Sequence, residues 1–552
     1  AYERLRRIEH RIQMVNDEQN HTLPDDAGLD RIATMMREPD FHAQTLETLN
    51  AVHAIFLSLD RTDDHGAALP DIDEDVKQAF EAKAKTWREG KYNCLKTERS
   101  RALLARLEPA FLRAVAASAD PPGALEGLDL FLARLSRGID PLRRLQHYPE
   151  LVPVLLLIVA AAPRLAEQLA ARAHLLDVLV DPQFFGTVPT REALESVLDD
   201  ALAKARDYED ALDALRIFGQ EQRLLVEVRI LTGSLRSADA GAAHTAVAEI
   251  CTRRALDLAQ AAFRSAHGEF PGGGVCLIGL GSFGGEEMTA ASDLDLVFLY
   301  DSPKQMAQSN GAKPLSPGHY YTRLAQRFVS ALSAPTAKGM LYQIDLRLRP
   351  SGKAGPLATH IRAFERYHSE SAWTWEQMAL TRARAVAGDD ALGKRAMEAI
   401  AGALRRPRQS DALANDVASM RARMEQQKNH DMKHAPGGLI DIEFIAQFLC
   451  LSSGVAVTGP GTRRMLRHLS DLGWLDGGAL ETLLGAHRLI RNLGHLCAIA
   501  GMECPPSETP VALRPLLLRA ADAPDIAFLE ADLAARQRDV RALFERLIGP
   551  RR

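Results

Sequence analysis

The most constraining feature of this 552-residue chain is a change of texture at Phe270-Pro271-Gly272-Gly273-Gly274. Before it, apolar residues recur at helical spacing and no strand-like alternation occurs. Leu5, Ile8, Ile12 and Val15 begin the pattern, Pro24 interrupts it, and Asp140-Pro141, Pro153, Pro163 and Asp181-Pro182 break it again. After the glycines, Val275-Cys276-Leu277-Ile278-Gly279-Leu280 reads as a buried strand, and Leu294 to Tyr300 as a second. Residues 317–334 return to helical spacing. Residues 341–349 (LYQIDLRLR) alternate and predict a third strand, and helix follows Pro350 to the end, with loops near 429–438 and 501–510. A predominantly helical α+β chain is expected, with one small mixed sheet and its flanking helical bundles.

Composition excludes several classes. Hydrophobic residues make up 46% and charged residues 25%, which argues against a largely disordered chain. A net charge of −5 lowers the case for a nucleic-acid binder. The longest apolar run, Leu151 to Ala162, contains Pro153 and falls short of the about twenty residues a bilayer span needs, so it predicts a buried helix and no membrane partner. The six cysteines form no CxxC pair, the pattern of a reducing compartment, here the cytoplasm.

The chemistry concentrates where the strands are. Asp293 and Asp295 stand two apart on a strand, so both side chains leave one face. Adjacent carboxylates on a half-buried strand repel one another, and a hard divalent cation, Mg²⁺ or Mn²⁺, is the natural neutraliser. On the third strand Gln343, Asp345, Arg347 and Arg349 are expected on one face and Tyr342, Ile344, Leu346 and Leu348 on the other. Asp345 would complete a three-carboxylate cluster, and Arg347 and Arg349 would meet phosphate oxygens. Gly281, Ser282 and Gly284 form a turn whose N–H groups and hydroxyl suit a polyphosphate. Gly279, Gly281 and Gly284 also imitate a dinucleotide-binding fingerprint, but too few residues separate the turn from the next strand for a parallel crossover. Lys433, in Lys433-His434-Ala435-Pro436-Gly437-Gly438, precedes a helix start and suits an anion. Asp441 and Glu443 fit the first turn of that helix with or without a function. His430 and His434 lack the glutamate of a zinc helix, and Trp373 and Trp375 are expected in the core.

Gly281-Ser282 followed after ten residues by Asp293-Leu294-Asp295-Leu296 resembles the nucleotidyltransferase superfamily that shares its fold with DNA polymerase β. The stretches 279–301, 342–355, 372–384 and 433–448 look like the glutamine synthetase adenylyltransferase family. That family carries two nucleotidyltransferase modules in tandem, the first removing AMP from glutamine synthetase by phosphorolysis and the second adding it. The opening AYERLRRIEHRIQMVNDEQNHTLP resembles the tail of the first module; AYERLRRIEHRIQ also lays on AHRLIRNLGHLCA at 486–498.

The resemblance implies a tail helix of an upstream module at 1–28, a helical regulatory linker at 29–195, a catalytic domain at 196–400 and a helical bundle at 401–552. It implies ATP as substrate, Asp293, Asp295 and Asp345 as ligands of two Mg²⁺ or Mn²⁺ ions, and a tyrosine of glutamine synthetase as acceptor, with pyrophosphate leaving. It implies glutamine and the signal-transduction protein PII as regulators of nitrogen assimilation. Ser282 stands where many members carry Lys, which the superfamily accepts. Two other readings stay open: a nucleotidyltransferase acting on RNA or a small molecule, and a catalytically silent regulatory module.

Overall fold

Among the described residues, five short strands lie inside otherwise helical surroundings, and a period of two explains how they are held. Along β1 (Gly274–Gly279), Val275 and Leu277 point into one helical core, Cys276 and Ile278 into another. Along β2 (Leu294–Asp301), Leu294, Leu296 and Phe298 join the first core and Val297 and Leu299 the second. A sheet covered on both faces needs apolar residues at every position, so these strands read as continuous apolar runs. Asp293 and Asp295 fall in phase with Val297 and Leu299, at the point where β2 emerges from the helical cover.

In the computed structural model, which describes residues 72–136, 139–186, 188–427, 431–456, 461–502 and 506–549 together with Ala33 and Phe41, β1 pairs antiparallel with β2. On its other edge β1 pairs antiparallel with β5 (Arg384–Gly388). The outer edge of β2 carries two short parallel partners: β3 (Ile344–Asp345) beside Leu294–Asp295, and β4 (Ala358–His360) beside Phe298–Tyr300. The antiparallel β1–β2 pair confirms that the glycine turn does not open a dinucleotide-binding crossover.

Residues 72–552 form one compact unit and residues 1–71 a second; the segment read as a tail at 1–28 lies outside the described residues. The run at 151–162 is the buried helix Leu151–Ala161, and among the described residues no helix is long and apolar enough to cross a membrane. The helices Tyr208–Thr232 and Ser237–His267 lie beside each other, the second also contacting β5 and the helix Pro317–Ser333. The helices Leu439–Ser453, Thr462–Asp471 and Gly477–Ala500 follow the strands in sequence and pack together.

The third strand is shorter than its alternation predicts, Ile344–Asp345 rather than 341–349. Asp345 Oδ1 accepts the Arg347 backbone N–H at 2.7 Å, a local turn that competes with a ladder hydrogen bond, and Arg349 N donates to the Leu346 carbonyl at 3.3 Å. The chain therefore leaves the sheet directly after Asp345, and the expected division into two faces fails beyond it: Arg347 is exposed but Arg349 is buried.

Candidate active site

The site starts from the glycine turn. Leu280 N donates to the Asp295 carbonyl at 2.9 Å, which ties the end of β1 to the start of β2. The chain then coils tightly over Gly281–Gly284, with Gly284 N donating to the Leu280 carbonyl at 2.7 Å. Gly281 has φ +55°, and a Cβ there would lie 2.0 Å from Asp295 Oδ2. A Cβ on Gly284 would lie 2.3 Å from the Arg382 carbonyl. Gly281 lets the turn press onto the carboxylate without a side chain between, and Gly284 lets it press onto the Arg382 backbone. Gly281→Ala is therefore expected to displace Asp295 and to strain the turn. A loss of stability of about 1–2 kcal/mol follows from the backbone conformation, and a far larger effect, roughly 100-fold or more, on any reaction that needs Asp295 in place. Urea unfolding and turnover measured on one preparation separate the two effects.

Asp293, Asp295 and Asp345 converge: one carboxylate oxygen from each lies within 4.8 Å of the others. Parallel pairing places Asp345 directly beside Asp295, and the period of two places Asp293 on the same face. Asp293 is exposed, while the other two are half-buried. Burial, then the charges of Asp293 and Asp345, push the Asp295 carboxyl up to about 7, against the pull of Arg382 and Lys433. Three clustered oxygen donors with this mutual repulsion fit a hard divalent cation, which would remove the repulsion by coordination.

The other expected contacts divide. Lys433 is exposed and close enough for its charge to act on Asp295, so the loop before the helix Leu439–Ser453 does approach the triad. Arg347 is turned onto Asp345, its Nε donating to Oδ2 at 2.7 Å. Arg349 is buried and donates to the carbonyls of Leu346 at 2.7 Å and Gly355 at 3.2 Å, which stabilises the turn after β3. Ser282 is half-buried in the glycine turn, and its carbonyl accepts Glu287 N at 2.8 Å.

Asp441 is fully buried; it pairs with Arg421 and accepts Gly437 N at 2.7 Å, so it shapes the Lys433–Gly438 loop. His434 bonds Asp431 through Nδ1 at 2.7 Å, and His430 lies outside the described residues. Trp373 and Trp375, expected in the core, are instead 69% and 41% exposed. They flank the start of the short helix Thr374–Leu380, whose inward face is taken by Glu376, Met378 and Leu380.

Sequence reading missed the layer behind the triad. Arg382, buried, pairs with Glu287 and with Glu443 at 3.1 Å. Glu287 also accepts Thr462 N at 2.8 Å and Thr462 Oγ1 at 3.2 Å, and its carbonyl accepts from Arg491. Burial works to raise the Glu287 carboxyl, but Arg382, His487 and Arg491 hold it well below the usual range. The network joins residues 61 (Arg382 to Glu443) to 204 positions apart, so no local spacing announces it.

Comparison with known proteins places this geometry in a family. A family model described as glutamate-ammonia ligase adenylyltransferase matches residues 153–399, and one described as GlnD PII-uridylyltransferase matches residues 1–59 and 411–501. The bifunctional glutamine synthetase adenylyltransferase/adenylyl-removing enzyme of Brucella melitensis biotype 1 is 40% identical over 99% of this chain and 58% of its own length. The proteins of the same name from Agrobacterium fabrum and Rhizobium meliloti are 40% and 38% identical, over 58% and 59% of their own lengths. The chain thus spans a little over half the length of these curated relatives. With its triad inside the first matched region and its Lys433 loop inside the second, the chain belongs to the glutamate-ammonia ligase adenylyltransferase family.

Proposed function

We propose that this chain transfers AMP from ATP to a tyrosine of glutamine synthetase, releasing pyrophosphate. The convergence of Asp293, Asp295 and Asp345 beside the Gly281–Gly284 turn carries the reading. Asp293, Asp295 and Asp345 would hold Mg²⁺ or Mn²⁺, which when bound supplies charge neutralisation for the attacking and leaving oxygens. The N–H groups of Gly281 and Ser282 and the Ser282 hydroxyl bind the phosphates of ATP, Gly284, whose N–H is spent on the Leu280 carbonyl, closes the turn that presents them, and Lys433 adds a cation. Arg347 is exposed at the rim, where it orients Asp345 and meets phosphate oxygens; Arg349 supports that loop from behind. Asp345 accepts the hydrogen bond and the proton of the tyrosine hydroxyl as its oxygen bonds to the α-phosphorus and the bond to pyrophosphate breaks.

The module is read as the adenylylating one, residues 196–400 forming the catalytic domain and 401–552 the bundle that supplies Lys433. Residues 1–28 are read as the tail of an upstream module, which the match of one family model to both 1–59 and 411–501 supports. Residues 29–195 are the regulatory linker through which glutamine and PII act, in the cytoplasm.

The test is intact-mass measurement of glutamine synthetase after incubation with this chain, ATP and Mg²⁺. An AMP-sized gain on a tyrosine, absent when Mg²⁺ is withheld, is expected. Absence of any gain, with glutamine and PII also supplied, would overturn glutamine synthetase as the acceptor.

A further inference from the structure

A polar cavity of about 290 Å³ opens between the helices Thr462–Asp471 and Gly477–Ala500, the start of the helix Ser237–His267 and residues 285–287. It shares Gly285, Glu286 and Glu287 with the end of the glycine turn, and none of Asp293, Asp295 and Asp345 lines it. Five guanidiniums do: Arg463, Arg464 and Arg467 from one helix, Arg488 and Arg491 from the other.

A row of arginines on a helix is ordinarily a solvated face with acidic neighbours. Here the acidic neighbours are already engaged. Glu287 is held by Arg382, and Glu286 lies 3.7 Å from Arg384. Among the described residues no carboxylate lies within ion-pair distance of Arg463, Arg464, Arg467 or Arg488. The same cavity is lined by two histidines that are 3% and 2% exposed, His487 and His495, and the Nδ1 atom of each lacks a hydrogen-bond partner. Buried polar atoms are normally satisfied. The cavity therefore presents an uncompensated positive wall with buried, unsatisfied histidine nitrogens in the layer that lines it, and the charge deficit is met by one kind of ligand, a small molecule rich in anionic oxygens.

We propose that this cavity binds a compact polyanion carrying two or more carboxylate or phosphate groups. Guanidinium forks match the paired oxygens of either group. The volume, close to the lower end for small-molecule sites, suits a metabolite more than a macromolecular surface. Arg491 also donates to the Glu287 carbonyl, so the bound anion would share a guanidinium with the layer that backs the triad.

The test is isothermal titration calorimetry of the full chain with citrate and, separately, 2,3-bisphosphoglycerate, without ATP or divalent cation. Saturable binding of at least one probe is expected, and the tighter one assigns carboxylate or phosphate as the natural group. Binding should weaken at least tenfold in Arg464→Gln/Arg467→Gln, whose side chains are exposed, with unchanged circular dichroism. Arg488→Gln provides an independent exposed variant with the same expectation. Asp293→Asn/Asp295→Asn should bind the probes as the parent chain does. Failure of both probes to bind, or undiminished binding in both arginine variants, would overturn the proposal. So would loss of binding in the aspartate variant, which would place the anion at the triad.

Discussion

Asp293→Asn/Asp295→Asn is expected to reduce AMP transfer by at least about 1,000-fold while leaving the chain as resistant to urea as its parent, or more so. The two outcomes have one cause. Asp295 is half-buried beside two other carboxylates, and burial with their charges pushes it up to about 7. Such an arrangement opposes folding, because like charges are brought together where water screens them less. The amide has nearly the same shape and no charge, so the folded chain loses a repulsion. The reaction loses its oxygen donors for a divalent cation, and electrostatic terms at a reacting phosphate account for several powers of ten. A fall in activity accompanied by a fall in stability would instead mark the pair as structural. Equilibrium urea unfolding in metal-free buffer and the mass assay on glutamine synthetase read the two quantities independently.

Arg382→Ala should produce the largest loss of stability, about 3–5 kcal/mol, since it leaves buried carboxylates without their cation. Glu287 and Glu443 both pair with this guanidinium, and neither is exposed. The pH dependence carries a definite sign. Glu287 is held well below the ordinary glutamate value of 4.5, with Arg382 the strongest of the opposing charges once burial is overcome. A carboxyl depressed on folding contributes stability above its unfolded value, and this is lost as pH falls below about 4.5. Unfolding midpoints taken between pH 7 and pH 3 should therefore fall steeply for the parent chain and less steeply for Glu287→Gln. Equal slopes would show that the ion pair does not govern acid stability.

The glycine turn, Asp293 and Asp295 were legible because their chemistry is local. Ten residues separate Ser282 from Asp293, a period of two orients the aspartates, and an apolar run on each side declares the strands buried. Asp345 was legible by residue type but not by its structure, since an Asx-type turn ended the strand that alternation had extended to 349. The same turn buried Arg349 against carbonyls, an outcome that depends on where the chain reverses. Trp373 and Trp375 were expected inside because large aromatics usually bury, yet the short helix they begin turns Met378 and Leu380 inward.

By itself the sequence determined the helical character of the chain, the place of the sheet within it, the residues able to bind a divalent cation and the family to which they belong. The first three follow from periodicity and from spacings of a few residues, and the family from the resemblance of the stretches 279–301, 342–355, 372–384 and 433–448. Tertiary structure alone decided that Asp345 lies beside Asp295, that Lys433 acts on the same carboxylate, and that Arg382 joins Glu287 to Glu443. It also decided that five arginines from two helices surround one cavity. Each of these joins positions far apart in the chain, and electrostatic interaction depends on distance and burial in space, which local spacing does not encode.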